Sequence, residues 1–226
     1  MKLSVIIPAL QEAPRIAVAI ESAWRAGASE VVVADGGSQD GTSEVSQAAG
    51  ATVVACEPGR GKQLAAGASA SCGEILLFLH ADSRLSETVG AQLEELAKQR
   101  QEFWGCFRQK IEGESLAYRA LEWGNAMRAV WWRLAYGDQA IFVTRELYQR
   151  FGGFAAVPLM EDVMLSQQLA KVCRPIFLPG PVHTSSRRWE KHGIVRQTLR
   201  NWGIMIRYFW GVAPEDLAKL YRRHDK

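Results

Sequence analysis

Four short apolar runs recur in the first eighty residues, and their spacing constrains the fold more than any other feature of the sequence. They are rich in Val, Ile and Leu, and they occupy Leu3–Pro8, Glu30–Ala34, Ala51–Ala55 and Ile75–His80. Stretches with helical periodicity separate them, at residues 14–26, 42–49 and 63–71. Because buried strands that alternate with helices build βαβ units, the sequence predicts an α/β fold with one Rossmann-like, mainly parallel sheet flanked by helices.

The second half of the chain has a less regular pattern. Two further strands and two helices are predicted there, at Phe103–Ile111, Gln139–Thr144, 115–136 and 161–171. A last helix, Ile194–Trp210, is amphipathic. No internal repeat, linker or low-complexity segment interrupts the sequence, so we expect a single domain over residues 1–226.

The composition is that of an ordinary folded protein. Apolar residues make up 48% of the 226 residues and charged residues 23%, which excludes a disordered or fibrous protein. No window supplies the ~20 apolar residues of a transmembrane helix, and the N-terminal apolar run is too short for a signal peptide. The four cysteines fall outside metal-binding spacings. We therefore expect small buried residues in a reducing compartment, and a cytoplasmic location.

The net charge of +3 hides an asymmetry along the chain. Residues 187–226 carry 10 Lys and Arg against 4 Asp and Glu, a net +6, whereas the preceding residues carry −3. A basic segment suits an anionic ligand, an acidic membrane surface or a nucleic acid, and a solvated helix face explains it equally well. Nucleic-acid binding rests on this charge alone, and we do not predict it.

Glycine-rich and polar segments follow the predicted strands, where the carboxyl ends of parallel strands form ligand sites. They read PALQE at 8–12, DGGSQDGT at 35–42, PGRGKQ at 58–63 and HAD at 80–82. Asp35 can accept hydrogen bonds from a base or a ribose. Two cations at a helix start, Arg60 and Lys62, suit a diphosphate. The spacing matches neither GxxxxGK(S/T) nor GxGxxG, which argues against a P-loop and against a nicotinamide site.

Asp82 stands two residues after the end of the buried run at His80. A carboxylate in such a place is costly unless it meets a cation or hydrogen-bond donors. A hard divalent ion is usually held by one or two carboxylates together with diphosphate oxygens. The sequence therefore predicts a divalent metal, Mn²⁺ or Mg²⁺, at Asp82.

The order of these motifs resembles that of a known family. SVIIPALQE, VVVADGGSQDGT, GRGK followed by GEILLFLHAD, and GGF with LMEDVML occur in sequence over roughly residues 3–190. In this order they look like family 2 glycosyltransferases with the GT-A fold. The YGDQAIF segment and the C-terminal NWG…YFWGV stretch are similar to those of short bacterial members, some of which are named after arsenosugar biosynthesis.

The resemblance implies transfer of a sugar, with inversion, from a nucleoside diphosphate sugar to an unknown acceptor hydroxyl. A UDP-sugar is the expected donor, Asp82 the metal ligand and Asp162 the general base. The donor-binding residues would be Pro8, Ala9, Leu10, Glu12, Asp35, Arg60, Lys62, Ala81 and Arg188. The acceptor side would be formed by Gly137, Asp138, Glu161 and Trp189. Residues 1–100 would then form a nucleotide-sugar-binding half, 101–190 an acceptor and catalytic half, and 191–226 a helical tail.

The sequence also departs from the family pattern. His80 replaces the first aspartate of the family's DxD motif, and Gly36 replaces a common aspartate after Asp35. The metal therefore has fewer anionic ligands, and His80 or His183 either assists it or is simply packed. Asp162 could also be a carboxylate that favours a helix N-terminus.

Two rival functions remain. A nucleotidyltransferase would have a glycine-rich, arginine-containing loop after the first strand, where this chain has Ala9-Leu10-Gln11-Glu12. A nucleotide-sugar-binding protein without transfer activity would need no base, and Asp162 argues against it.

The amphipathic helix 194–210 leaves two alternatives open. Its apolar stripe contains Val195, Leu199, Trp202, Ile206 and Phe209, and a basic stripe contains Arg196, Arg200 and Arg207. It either packs on the domain or rests on an anionic membrane, at the inner face if the protein is cytoplasmic.

Overall fold

Eight strands and ten α-helices occur in the computed structural model, which describes residues 1–223 apart from the side chains of Arg188, His192, Arg222 and Arg223. The strands are β1 (Leu3–Ala9), β2 (Glu30–Asp35), β3 (Thr52–Ala55), β4 (Ile75–Phe78), β5 (Ser83–Leu85), β6 (Trp104–Ile111), β7 (Phe142–Thr144) and β8 (Ile176–Thr184). The helices are α1 (Ala13–Arg25), α2 (Thr42–Ala48), α3 (Arg60–Ala70), α4 (Val89–Gln99), α5 (Leu116–Trp131), α6 (Arg145–Arg150), α7 (Glu161–Leu169), α8 (Arg187–His192), α9 (Ile194–Phe209) and α10 (Pro214–Arg223).

The first four predicted strands form one half of a single sheet. Strands β3, β2, β1 and β4 lie side by side and are all parallel. Apolar side chains point to both faces of β1 and β2 because helices cover both faces. On one face α1 buries Ile16 and Ile20, and on the other α3 approaches so closely that a Cβ on Gly67 would lie 2.5 Å from Ile6 Cγ2.

The second half of the sheet is mixed rather than parallel. The full order is β3-β2-β1-β4-β7-β6-β8-β5, in which β7 is antiparallel to both β4 and β6. Strand β8 is parallel to β6, and β5 is antiparallel to β8. The expectation of a mainly parallel sheet therefore holds for β3, β2, β1 and β4, whereas the antiparallel strands β7 and β5 make the rest of the sheet mixed.

Two hydrophobic cores lie on opposite faces of the sheet. One is built around α1 and α4 and the other around α3, α5, α6 and α7. A third, smaller cluster joins the C-terminal helices to the rest of the protein through Leu134, Met160, Val163, Ile204 and Leu217. Helices α9 and α10 therefore pack beside the segments that carry Tyr136 and Asp162.

The cysteines are less buried than expected. All four are free thiols, of which Cys106 is buried and Cys72 is exposed. None of the helices between residues 1 and 223 is both long enough and apolar enough to cross a bilayer.

Candidate active site

Asp35 ends β2 at the carboxyl edge of the sheet and is 4% exposed. Its Oδ1 accepts hydrogen bonds from the Ser38 backbone N–H at 3.0 Å and the Ser38 hydroxyl at 2.6 Å, and its Oδ2 accepts one from the Ser43 hydroxyl at 2.5 Å. Burial opposes the negative charge, but these hydrogen bonds outweigh it and lower the pKa of Asp35. Asp35 is thus an ionised acceptor that also orders the loop behind it.

The turn after β1 is fastened to the turn after β2. The Gln11 backbone N–H donates to Ser38 Oγ at 2.9 Å, and the Glu12 N–H donates to Thr42 Oγ1 at 2.9 Å. Ala9 is buried beside Asp35 in register, whereas Leu10 is exposed. The structure therefore brings the predicted donor residues of the first two turns together, with Pro8 half-buried below them.

The two cations at the start of α3 point to different places. Arg60 Nε forms an ion pair with Glu161, and its Nη2 lies 3.9 Å from Asp162 Oδ2. Lys62 Nζ lies 2.6 Å from Glu57 Oε2 on the exposed side of the helix. Burial disfavours the Arg60 charge, but the carboxylates of Glu161 and Asp162 outweigh burial and raise its pKa.

The glycine between these cations has a packing role. A Cβ on Gly61 would lie 2.2 Å from the carbonyl oxygen of Ala155, so only glycine allows the loop after Phe154 to pass over the start of α3. The GRGK segment is therefore explained in part by this contact.

A cavity of 330 Å³ lies between the carboxyl edge of the sheet and the C-terminal helices. Three carboxylates line it, those of Asp82, Asp138 and Asp162. Arg60, His80, Gly137 and Trp189 line it as well, together with α9 residues such as Asn201 and Met205. The cavity thus collects residues from all three of the predicted segments of the chain.

Asp162 is held in one orientation at the start of α7. Its Oδ2 accepts a hydrogen bond from the Gly137 backbone N–H and its Oδ1 accepts one from the Val163 N–H, both at 2.8 Å. Met160, immediately before the helix, has φ of 70°, which turns the chain sharply into α7. Both carboxylate oxygens keep a lone pair for a further partner.

Gly137 is the contact point between Asp162 and His80. A Cβ at Gly137 would lie 2.5 Å from His80 Nε2 and 3.5 Å from Asp162 Oδ2. His80 is therefore packed against this glycine while it also faces the cavity. His183 lies elsewhere, beside Arg84 and Lys110 in the sheet register, and burial together with these cations lowers its pKa.

Glu161 lies behind the cavity wall. The residue is 0% exposed and pairs with Arg60, while its Oε2 has no hydrogen-bond partner in the described part of the chain. Burial raises the pKa of Glu161 against the opposing effect of Arg60. The Glu161 side chain thus pairs with Arg60 behind the cavity wall, and its acceptor role stays a prediction.

Asp138 ends a chain of hydrogen-bonded polar residues that the sequence did not reveal, in which Gln109 is buried and the others are half-buried. Its Oδ2 accepts a hydrogen bond from Gln109 Nε2 at 2.9 Å. Asn125 Nδ2 donates to Gln109 Oε1 at 2.7 Å, and Arg128 Nη1 donates to Asn125 Oδ1 at 2.8 Å. Asp138 Oδ1 is buried and has no partner among the described residues. In the sequence, this hydrogen-bonded chain was indicated only by the polar Gln109 at a buried position of a predicted strand and by the three-residue spacing of Asn125 and Arg128.

A divalent ion would find a partial set of ligands in this cavity. Asp82 supplies a half-buried carboxylate, and the unpartnered Asp138 Oδ1 is a second oxygen of the hard type that Mg²⁺ and Mn²⁺ prefer. Residues 1–223 contain no group of three His, Cys, Asp or Glu side chains placed to hold a metal. The donor set therefore fits an ion whose remaining ligands are diphosphate oxygens.

The segment before α9 contains two of the predicted site residues, Trp189 and Arg188, and the structure describes the side chain of only Trp189. Trp189 lines the cavity, and its ring packs edge to face on Tyr118 with centroids 6.2 Å apart. Ala81 is buried next to Asp82. Arg188 belongs to α8, but its side chain lies outside the described part of the structure, so its role stays a prediction.

Comparison with protein families decides the class of the chain. The family model described as glycosyl transferase family 2 matches residues 4–158, well over half of the sequence. The chain belongs to glycosyl transferase family 2. No curated protein matches it.

The solved structures that resemble this family 2 chain share its fold at low sequence identity. The crystal structure of S. aureus TarS 1-349 has 18% identity and a TM-score of 0.68, and the match covers 82% of this chain and 61% of that one. The same fragment in complex with UDP-GlcNAc has 16% identity and a TM-score of 0.66, with 82% and 58% covered.

Glucosyl-3-phosphoglycerate synthase (GpgS) from Mycobacterium tuberculosis, crystallised with Mn²⁺, UDP and glucosyl-3-phosphoglycerate, has 22% identity and a TM-score of 0.55, with 81% of this chain and 70% of that one covered. The family 2 chain thus spans about three-fifths of the TarS fragment. These likenesses confirm the predicted GT-A-like α/β fold.

Proposed function

We propose that the protein transfers a sugar from a nucleoside diphosphate sugar to an acceptor hydroxyl. The observation that carries this proposal is the orientation of Asp162, which two backbone N–H groups fix at the wall of a cavity that also holds Asp82. A UDP-sugar is the proposed donor. TarS has been crystallised with UDP-GlcNAc and GpgS with UDP, and both have the same fold as this chain.

Asp162 is the proposed general base. A carboxylate within reach of the acceptor hydroxyl takes its proton as the oxygen attacks the anomeric carbon. Because one base acts opposite the leaving group in a single displacement, the anomeric configuration would invert. Arg60 Nη2 lies 3.9 Å from Asp162 Oδ2, so a positive charge stands beside the proposed base.

The donor side of the proposal uses the carboxyl edge of β1, β2 and β4. Asp35 would accept hydrogen bonds from the nucleoside beside Pro8, Ala9, Leu10 and Glu12. Asp82 would hold a Mn²⁺ or Mg²⁺ ion, assisted by Asp138 Oδ1, and such an ion supplies positive charge to the leaving diphosphate. Lys62 would reach the diphosphate only by leaving Glu57, and Arg188 is proposed to contribute from α8.

The acceptor side would be formed by Gly137, Asp138 and Trp189. The cavity volume of 330 Å³ lies near the lower end of the ~300–1,000 Å³ typical of small-molecule sites, so it suits one sugar unit and the reactive end of an acceptor. We also propose that the chain belongs to the arsenosugar-biosynthesis-type subgroup of the family. We also propose a cytoplasmic location, because the four cysteines are free.

The experiment that tests the function compares three outcomes. The protein is screened by thermal shift against UDP-, GDP- and dTDP-sugars with Mn²⁺, since a ligand that binds the native state raises the melting temperature. The stabilising sugar nucleotide is then incubated with the enzyme and the products are identified.

Release of nucleoside diphosphate together with transfer of the sugar to an acceptor or to water supports the proposal. Binding without turnover would identify a nucleotide-sugar-binding protein. Exchange of pyrophosphate would identify a nucleotidyltransferase.

A further inference from the structure

Helices α5 and α9 expose a band of large apolar side chains, which we call the aromatic face. From α9 and its C-cap it includes Val195, Leu199, Trp202, Ile206, Phe209 and Trp210, each between 50% and 83% exposed. Monomeric soluble proteins rarely expose contiguous apolar patches of this kind unless they serve an interface.

Helix α9 is divided into three faces. Because an α-helix turns about 100° per residue, Val195, Trp202 and Phe209 form one stripe at seven-residue spacing. Arg196 and Arg207 lie about a third of a turn away and are exposed. The remaining face, with Ile204 and Gln197, is buried. The fold therefore buries a different face from the aromatic stripe, which stays in solvent.

Helix α5 repeats the arrangement. Leu116, Trp123 and Val130 follow one another at seven-residue spacing and are 84%, 68% and 52% exposed. Trp131 and Trp132, at the end of the helix but on other faces of it, are also 71% and 73% exposed. An amphipathic helix whose apolar stripe faces water lacks the partner that the pattern requires.

The ends of α5 lie near the end of α9 and near the α8 segment that leads into it. At one end, Trp132 of the α5 C-cap and Phe209 of α9 line a common surface hollow with Arg133 and Lys171. At the other end, Tyr118 of α5 packs on Trp189, which comes shortly before α9 begins. The exposed Trp132 is therefore a surface neighbour of Phe209, a member of the apolar stripe on α9.

We propose that the aromatic face docks on an anionic lipid bilayer. Tryptophan next to arginine and lysine suits the boundary between headgroups and acyl chains. The net charge of +6 on residues 187–226 complements an acidic lipid surface. A second copy in a two-fold interface would instead set the same cations against each other.

Docking has a consequence for the cavity. Asn201, Ile204 and Met205 line it from the inner side of α9, while the outer side of the same helix carries the aromatic stripe. A docked protein would therefore hold the wall of its candidate active site against the bilayer. The docking surface itself does not depend on the proposed function, and the following test involves no sugar transfer.

The test is co-sedimentation of the full chain with phosphatidylcholine vesicles, with and without phosphatidylglycerol. We expect binding that increases with phosphatidylglycerol and decreases with salt. The double variant Trp202→Ala/Phe209→Ala should bind about tenfold or more weakly, because it removes two rings that enter the interface. Arg196→Glu should bind roughly tenfold more weakly, since it reverses one charge near the surface.

Matched controls lie on α1. Val18→Ala removes an exposed apolar side chain, and Arg25→Glu reverses an exposed arginine; neither should change vesicle binding. Circular dichroism confirms that each variant is folded.

Absence of binding to phosphatidylglycerol vesicles at low salt would overturn the proposal. So would equal losses in the α1 controls, or a dimer in sedimentation equilibrium that Trp202→Ala/Phe209→Ala converts to a monomer.

Discussion

The donor and acceptor sides of the candidate site hold their carboxylates through contacts over different sequence distances. On the donor side, Asp35 takes its hydrogen bonds from Ser38 and Ser43, which are three and eight residues away. On the acceptor side, Asp162 is held by Gly137, 25 residues away, and Glu161 by Arg60, 101 residues away. The carboxylate of Asp35 is therefore held by its own loop, which in turn is bonded to the turn after β1, whereas the carboxylates of Asp162 and Glu161 depend directly on segments distant in the sequence.

This difference has a consequence for how substitutions should affect function. A site that is fixed by local bonds keeps its shape when distant parts of the chain change, and a site that depends on distant elements is sensitive to their packing. We expect substitutions on the acceptor side to lower the transfer rate and those on the donor side to lower affinity or local stability.

The largest effect is expected from Asp162→Asn. The amide keeps the size of the side chain but cannot take a proton, so transfer should slow by about 10² or more, the usual contribution of a general base. Steady-state rates of sugar transfer measure this. A wild-type rate would mean that Asp162 only caps α7, and it would remove the functional contrast between the two sides.

Gly137→Ala should lower the rate by roughly tenfold to a hundredfold with less effect on donor affinity. The new Cβ would lie 2.5 Å from His80 Nε2, so either His80 or the backbone that holds Asp162 must shift, and small misplacements are costly in catalysis. His80→Ala added to Gly137→Ala makes room and should restore part of the rate. No recovery in the double variant would show that the contact with His80 is unimportant.

Arg60→Met should destabilise the protein by about 2 kcal/mol, since it leaves the buried Glu161 without its cation. The partial exposure of Arg60 keeps the cost below that of a fully buried pair. Lys62→Met is the matched control, because its pair with Glu57 is exposed and should contribute less than ~1 kcal/mol. If urea denaturation shows equal losses of unfolding free energy in Arg60→Met and Lys62→Met, the contrast between a buried pair at Arg60 and an exposed pair at Lys62 is wrong.

Asp35→Asn should cost about 1 kcal/mol near neutral pH through lost hydrogen bonds to the charged carboxylate. The folded state lowers the pKa of Asp35 below its ordinary value of 3.8, so the native protein binds fewer protons than the unfolded chain. The Asp35 contribution is thus present above 3.8 and is lost as the pH falls through the lowered value.

Unfolding free energies of wild type and Asp35→Asn should therefore converge as the pH falls below 3.8. Asp216→Asn, in an exposed ion pair on α10, is the control and should cost less than ~1 kcal/mol. A difference in unfolding free energy between wild type and Asp35→Asn that increases as the pH falls below 3.8 would contradict this prediction.

The sequence predicted the N-terminal part of the sheet and its helices well. Strands β1 to β4 and helices α1 to α3 carry strong periodicity, and the sequence correctly places Asp35, Asp82 and Asp162 at or near the ends of elements. Strand β8 was missed because it contains Pro179 and Pro181, which are unusual in strands. Strand β5 was missed because it has three residues.

The remaining features depend on contacts that periodicity does not report. Gln109, Asn125 and Arg128 are ordinary polar residues until the fold joins them to Asp138. The pattern of α9 showed two stripes, but it did not show which face the third hydrophobic cluster would bury. The partner of Arg60 likewise lies 101 residues away, beyond any local motif.

The central claim is that one cavity has a donor side marked by Asp82 and an acceptor side marked by Asp162. The most direct measurement is calorimetric titration of UDP into wild type, Asp82→Ala and Asp162→Asn, each with Mn²⁺ and with EDTA. We expect Mn²⁺ to tighten UDP binding in wild type and Asp162→Asn alike and to have no effect in Asp82→Ala. Equal UDP affinity in Mn²⁺ and EDTA for wild type, or loss of the Mn²⁺ effect in Asp162→Asn with its retention in Asp82→Ala, would contradict it.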